Sequence, residues 1–209
     1  MKLKLFAALI FASACFAQRW ELGGTAGYGA YHNGSAIAPG GTATVGMRNR
    51  FAVGFVAGEN MYQHIGGEFR YLFQDGDPFV QSGSAKGNIQ GQSHSFHYNM
   101  LFHLYDRDKR LRPYASVGVG TKYYVTTGSA PVPQPFPRIV LLAPVNQTVV
   151  LGAVGGGLKY RLGRHTIVRG EFLDYITPMP SHLFIPAKDG TVRGILHQFT
   201  PMAGVSWAF

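Results

Sequence analysis

Eight charged residues, Glu21, Glu68, Arg70, Lys122, Lys159, Arg161, Arg169 and Glu171, carry the chemistry of this sequence that most needs explaining. Each lies in a stretch where apolar and polar residues alternate, and each falls on the polar side of that alternation. Residues i, i+2 and i+4 of a strand line one face, so the eight belong to one side of a sheet. If that side is enclosed, opposite charges should pair there, because an isolated buried charge is costly. Five of the eight are basic and three acidic. Two readings follow: a structural plug of ion pairs, which is favoured, or a path for ions that prefers anions.

A catalytic reading needs a nucleophile, a base and a group that orients the base. The local candidate is "SHSFHYN", with Ser93, His94, Ser95, His97 and Asn99; "RHTIVRGE" supplies His165 and Glu171 but no serine. Ser95 and His97 share the enclosed parity, away from any bilayer that would hold a lipid substrate, so no catalytic residue is assigned. The histidines also fail as a metal set. His97 and His103 are six residues apart on an extended strand, about 20 Å, and His182 and His197 flank a loop without a zinc-like spacing. No cofactor is expected.

The elements that must position these residues follow from composition. Glycine makes up 28 of the 209 residues, aromatics 13% and charged residues only 14%. The opening "MKLKLFAALIFASACFA" sets Lys2 and Lys4 before an apolar stretch and then small residues, the form of a secretory signal peptide spanning 1–17. A rival reading cuts before Cys15, the single cysteine, and acylates it. No later apolar run reaches the ~20 residues of a spanning helix. An exported chain this poor in charge and rich in Gly, Tyr and Phe needs lipid on one side. The basic residues behind the net charge of +9 are spread along the chain, with one small cluster at "DRDKRLR", and export removes nucleic acid as a partner.

Period-two alternation recurs in eight segments: residues 20–31, 51–59, 65–74, 95–105, 114–125, 148–162, 166–175 and the last, 199–209. Short polar connections near 60–63, 106–111 and 163–164 alternate strictly with long ones near 32–49, 75–91, 127–146 and 177–196. That pattern predicts an all-β, antiparallel, eight-stranded closed transmembrane barrel over 18–209, with long outer loops and short periplasmic turns. Charge on the lipid face costs about 2–4 kcal/mol at mid-depth, so the eight charges should point into the lumen, which side chains fill in a barrel of this size. Trp20 and Trp207 then share one interfacial girdle.

The segments "WELGGTAGYGAY", "GGEFRYLF", "RPYASVGVGTKYY", "GGGLKYRL" and "GVSWAF" resemble the eight-stranded OmpA/OmpX-type and opacity-type outer-membrane barrels of Gram-negative bacteria, over essentially the whole mature chain. The resemblance implies residence in the outer membrane. It also implies that the last strand, with Val205, Trp207 and Phe209 outward, is the signal read by the barrel-assembly machinery. The peptidoglycan-binding domain that follows the barrel in OmpA has no counterpart after Phe209, so that role is not expected here.

Function is then expected in the loops. Residues 127–146 combine a Pro-spaced stretch, Pro131 to Pro137, with the apolar run Ile139 to Val145. Left exposed, that run would be adhesive. It should fold over the barrel mouth, extend the hairpin above the membrane, or contact a partner, the first two being favoured. The expectation is a structural or surface-interaction (adhesin-like) protein, with a ligand held through loops 127–146 and 177–196. A small anion-preferring pore is the alternative, and a lipid-modifying enzyme the third reading.

Overall fold

A computed structural model describes residues 20–209. The signal peptide at 1–17 and Cys15 lie outside the described residues. In chain order the first elements are β1 (Trp20–His32), β2 (Gly34–Ala38), β3 (Gly41–Met47) and β4 (Arg50–Glu59). Next come β5 (Ile65–Asp75), β6 (Pro78–Ser82), β7 (Ala85–Asn88) and β8 (Gly91–His103). They are followed by β9 (Leu111–Thr126), β10 (Val140–Leu142), β11 (Gln147–Arg161) and β12 (Thr166–Pro178). The chain finishes with β13 (Phe184–Pro186), β14 (Thr191–Arg193) and β15 (Ile195–Ala208).

Eight of these strands close into one antiparallel barrel in the order β1-β15-β12-β11-β9-β8-β5-β4, with β1 paired to β4. Closure leaves no sheet edge in the bilayer, where an unpaired backbone group has no water to bond. The seam runs from Glu21 opposite Ala208 to His32 opposite His197. At its base the Trp20 and Phe209 backbones exchange hydrogen bonds of 3.3 and 3.0 Å. The alternation in the sequence is now physical: Leu22, Phe55, Phe69, Tyr98, Val117, Val154, Phe172 and Val205 are exposed around the belt, while their neighbours in sequence are buried or half-buried. Trp20 and Trp207 are about half exposed at the short-turn end, at the level of an interfacial girdle.

The long connections are more ordered than the sequence suggested. Segments expected as loops pair into a five-stranded sheet, β14-β2-β3-β6-β7, and a two-stranded sheet, β10-β13. They share a core of Ala36, Val45, Val80, Ile139, Leu142 and Phe184, all buried. The apolar run at 139–145 supplies Ile139, Val140 and Leu142 to that core, together with Tyr124 and Val149 of the barrel strands β9 and β11. Gln134 ties the Pro-rich stretch to the run, bonding Leu142 O at 2.9 Å and Leu142 N at 3.2 Å. The outer loops thus form a packed cap over the barrel.

Candidate functional site

Inward-facing positions on β1, β5, β11 and β12 converge on one charged layer across the lumen. Lys159 Nζ donates to Glu21 Oε2 at 2.8 Å and to Glu68 Oε1 at 2.6 Å. Arg169 donates to Glu21 and grips both Glu68 oxygens at 2.8 and 3.0 Å. Arg70 bonds Glu68 at 2.6 Å and takes Glu171 in a bidentate pair at 2.7 and 2.8 Å. Bidentate guanidinium–carboxylate bonds are the strong, geometrically selective kind. Tyr114 on β9 donates its hydroxyl proton to Glu171 Oε2 at 2.6 Å.

Every charged member of this layer is at most 6% exposed. Three carboxylates meet three cations, so the layer is neutral. Gly157 makes room for it: a Cβ there would stand 2.8 Å from Glu171 Cβ and 2.9 Å from Tyr114 Oη.

Two of the eight charges expected in the layer stand apart from it. Lys122, near the cap end of β9, is 1% exposed and has no carboxylate partner among the described residues. Its ammonium donates to Tyr31 Oη at 2.9 Å and to Gln198 Oε1, and lies 4.9 and 5.2 Å from the Tyr31 and Tyr124 ring centroids. Tyr31 passes its own proton to Gln74 Oε1 at 2.9 Å. Arg161, at the opposite end of β11, donates to the Arg107 carbonyl at 2.7 Å at the periplasmic mouth. Parity placed both on the inner side but could not place them in depth. The five-to-three excess that favoured anions is absent from the layer itself. Tyr114, which sequence reasoning passed over, carries the same inward parity as Lys122, so the signal was present.

Above the charged layer lie an amide–imidazole cluster and an apolar one. His97 Nδ1 is 2.6 Å from Asn99 Oδ1, Asn99 donates to Ser116 Oγ at 2.7 Å, and the His97 ring meets Tyr175 edge-on at 5.1 Å. Ser95 and His97 are sealed in the lumen at 1% and 2% exposure. Ala52, Leu72, Leu151, Leu173 and Tyr175 form the apolar packing of this region. His197 lies elsewhere, its Nδ1 2.7 Å from Asp174. Among the described residues no group of three or more potential metal ligands converges.

The cap presents the remaining accessible chemistry. A cleft of about 400 Å³ at the barrel's upper rim is lined by Arg48, Arg50, Asp75, Asp77, Gln90 and Gln92 among others. Asp77 bridges Arg48 and Arg50 at 3.3 and 3.2 Å, and Asp75 takes Arg50 at 3.0 Å. Val132 at the tip of the third loop is almost fully exposed. Val205, Trp207 and Phe209 point outward around the last strand, as Trp20 does on the first.

No protein-family model matches the chain, and no curated protein matches it in sequence. The likeness lies in solved structures. Neisserial surface protein A (NspA) superposes with a TM-score of 0.55 at 13% identity, covering 91% of this chain and 97% of its own. OprG, an outer membrane protein of Pseudomonas aeruginosa, superposes with a TM-score of 0.57 at 13% identity, covering 92% and 96%. The outer membrane protein AlkL gives 0.50 at 15% identity, with 92% of both chains covered. The chain has the fold of the eight-stranded outer-membrane barrels, with an exterior built for hydrocarbon.

Proposed function

We propose that this outer-membrane barrel is a structural or surface-interaction protein whose work is done by its extracellular cap. The observation that carries the reading is the pairing of a neutral, buried charged layer across the lumen with a cap that has its own apolar core. The interior is committed to structure, which leaves the polar outer surface and clefts of the cap to meet a ligand, through loops 127–146 and 177–196. The outward residues Val205, Trp207 and Phe209 of the last strand are, in the same reading, the contact offered to the assembly machinery.

The anion-preferring pore draws no support from the charged layer, which is balanced. A lipid-modifying role through Ser95 and His97 would need substrate to reach a filled lumen. Replacing residues 128–145 by a short turn should leave a folded barrel, seen as heat-modifiable gel migration, and abolish binding to cells, matrix or envelope components. Unchanged binding would remove the cap from the account. Planar-bilayer recordings of the whole protein should be silent, whereas steady conductance with anion selectivity would return the function to the lumen.

A further inference from the structure

The periplasmic end gathers six cations that no carboxylate neutralises. Arg107, Lys109 and Arg110 come from the turn after β8, Arg112 is the second residue of β9, Arg161 closes β11 and Arg164 lies in the turn after it. All six, with Lys159 behind them, line one cleft whose other walls are Asn60, Ile167 and Ala208, and no acidic side chain lines it. Among the described residues none of the six is within ion-pair distance of a carboxylate, whereas Arg48 and Arg50 at the opposite rim and Arg70, Lys159 and Arg169 in the lumen each are. Of the acids in the nearby turn, Asp106 is held by His64 at 3.0 Å and Asp108 borders adjoining clefts.

Arg112 makes the imbalance sharpest. It is only 5% exposed, and its terminal nitrogens are satisfied by neutral groups, Asn60 Oδ1 at 3.0 Å and the Gln63 carbonyl at 3.2 Å. Its Nε is buried with no hydrogen-bond partner. Gathered like charges repel one another, and a buried cation without a counter-ion is costly. An arrangement of this kind is completed by an anion from outside the chain.

The surroundings indicate which anion. The basic residues are flanked in sequence by exposed apolar side chains, Leu104, Tyr105 and Leu111 on one side and Leu162 on the other. Trp20 and Trp207 stand exposed at the same end. Apolar groups beside a cluster of Arg and Lys form an amphipathic rim that straddles the acyl–headgroup boundary. A soluble anion would have no use for that fringe. The guanidinium fork also matches the paired oxygens of a phosphate.

We propose that the periplasmic mouth binds the phosphodiester headgroup of a net-anionic phospholipid in the inner leaflet of the outer membrane, with Arg110 and Arg164 reaching into the headgroup layer and Arg112 at its back. The proposal depends on the barrel's seat in that membrane and not on any ligand of the cap. The test is native mass spectrometry of the whole protein in micelles containing equal amounts of phosphatidylglycerol and the zwitterionic phosphatidylethanolamine. The comparison protein is the triple variant Lys109→Gln/Arg110→Gln/Arg164→Gln, whose altered residues are exposed and whose fold is checked by heat-modifiable migration. Each lost cation should weaken phosphatidylglycerol retention roughly fivefold, so the triple variant should lose on the order of a hundredfold. Equal retention of the two lipids, or undiminished retention by the folded variant, would overturn the proposal. Displacement of phosphatidylglycerol by millimolar orthophosphate would overturn the lipid source and identify a site for soluble phosphate.

Discussion

In the barrel the most deeply buried large side chains include Arg70 and Lys122, whereas in the cap, in the connections between those strands, they include Phe184, Leu142 and Leu183. The two interiors follow opposite rules because they face opposite solvents. Around the barrel the outer surface meets hydrocarbon, so the exposed belt is apolar and the charged side chains go to the lumen, where six of them neutralise each other beside one apolar cluster. The cap meets water, so its apolar residues turn inward as in any soluble domain. A connection that leaves the bilayer therefore has to change its rule within a few residues. At Tyr124 and Val149, strands of the barrel already contribute to the core of the cap.

The sharpest way to break the comparison is to remove one charge from the layer. Arg169→Met leaves Glu21 and Glu68 short of a counter-charge in a sealed space, and breaking a buried pair from one side costs about 3–5 kcal/mol. The measurement is urea unfolding in lipid vesicles, and a loss below 1 kcal/mol would mean that water reaches the layer. In the cap the matching change is Leu142→Ala. Truncating a buried leucine costs about 2–5 kcal/mol, but here the loss should fall on the cap alone. Limited proteolysis should then cut within residues 127–146 while the barrel keeps its folded migration. If the barrel melts as well, the two interiors are one cooperative unit.

The lipid-facing surface separates the two rules directly. Val117 is exposed near the middle of β9, paired with Met100 on one side and Val154 on the other. Val117→Arg should destabilise the barrel by about 2–4 kcal/mol, whereas an arginine in place of exposed Val132 on the cap should be nearly neutral. Equal effects in the same vesicle unfolding assay would show that the belt is not where the alternation puts it.

Much of this contrast was legible in the sequence, but unevenly. Period-two alternation reports a face, and the cost of charge in lipid assigns that face to one side, so the barrel and the inward direction of Glu21, Glu68, Arg70, Lys159, Arg169 and Glu171 could be read directly. Alternation carries no information on depth across a barrel. That is why Lys122 and Arg161 were grouped with residues they do not touch, and why the small basic cluster at 106–112 could not be joined to Arg161 and Arg164 in one periplasmic cleft. The cap was less legible still. Its core draws Val45, Val80, Ile139 and Phe184 from four separate connections, and only the run at 139–145 was long enough to announce burial.

Lys122 stands where the rules change and should have the smallest effect. Its ammonium is held by Tyr31, Gln198 and the faces of two tyrosine rings, with no carboxylate to be orphaned when it is removed. Lys122→Met relieves the desolvation of an uncompensated cation, and this offsets the loss of a donor to Gln198, a group worth about 1–3 kcal/mol when left unsatisfied. The expected net change is within about 1 kcal/mol, well under that of Arg169→Met in the same titration. A loss as large as that of Arg169→Met would place Lys122 among the paired charges, and the boundary between the two interiors would move up to the floor of the cap.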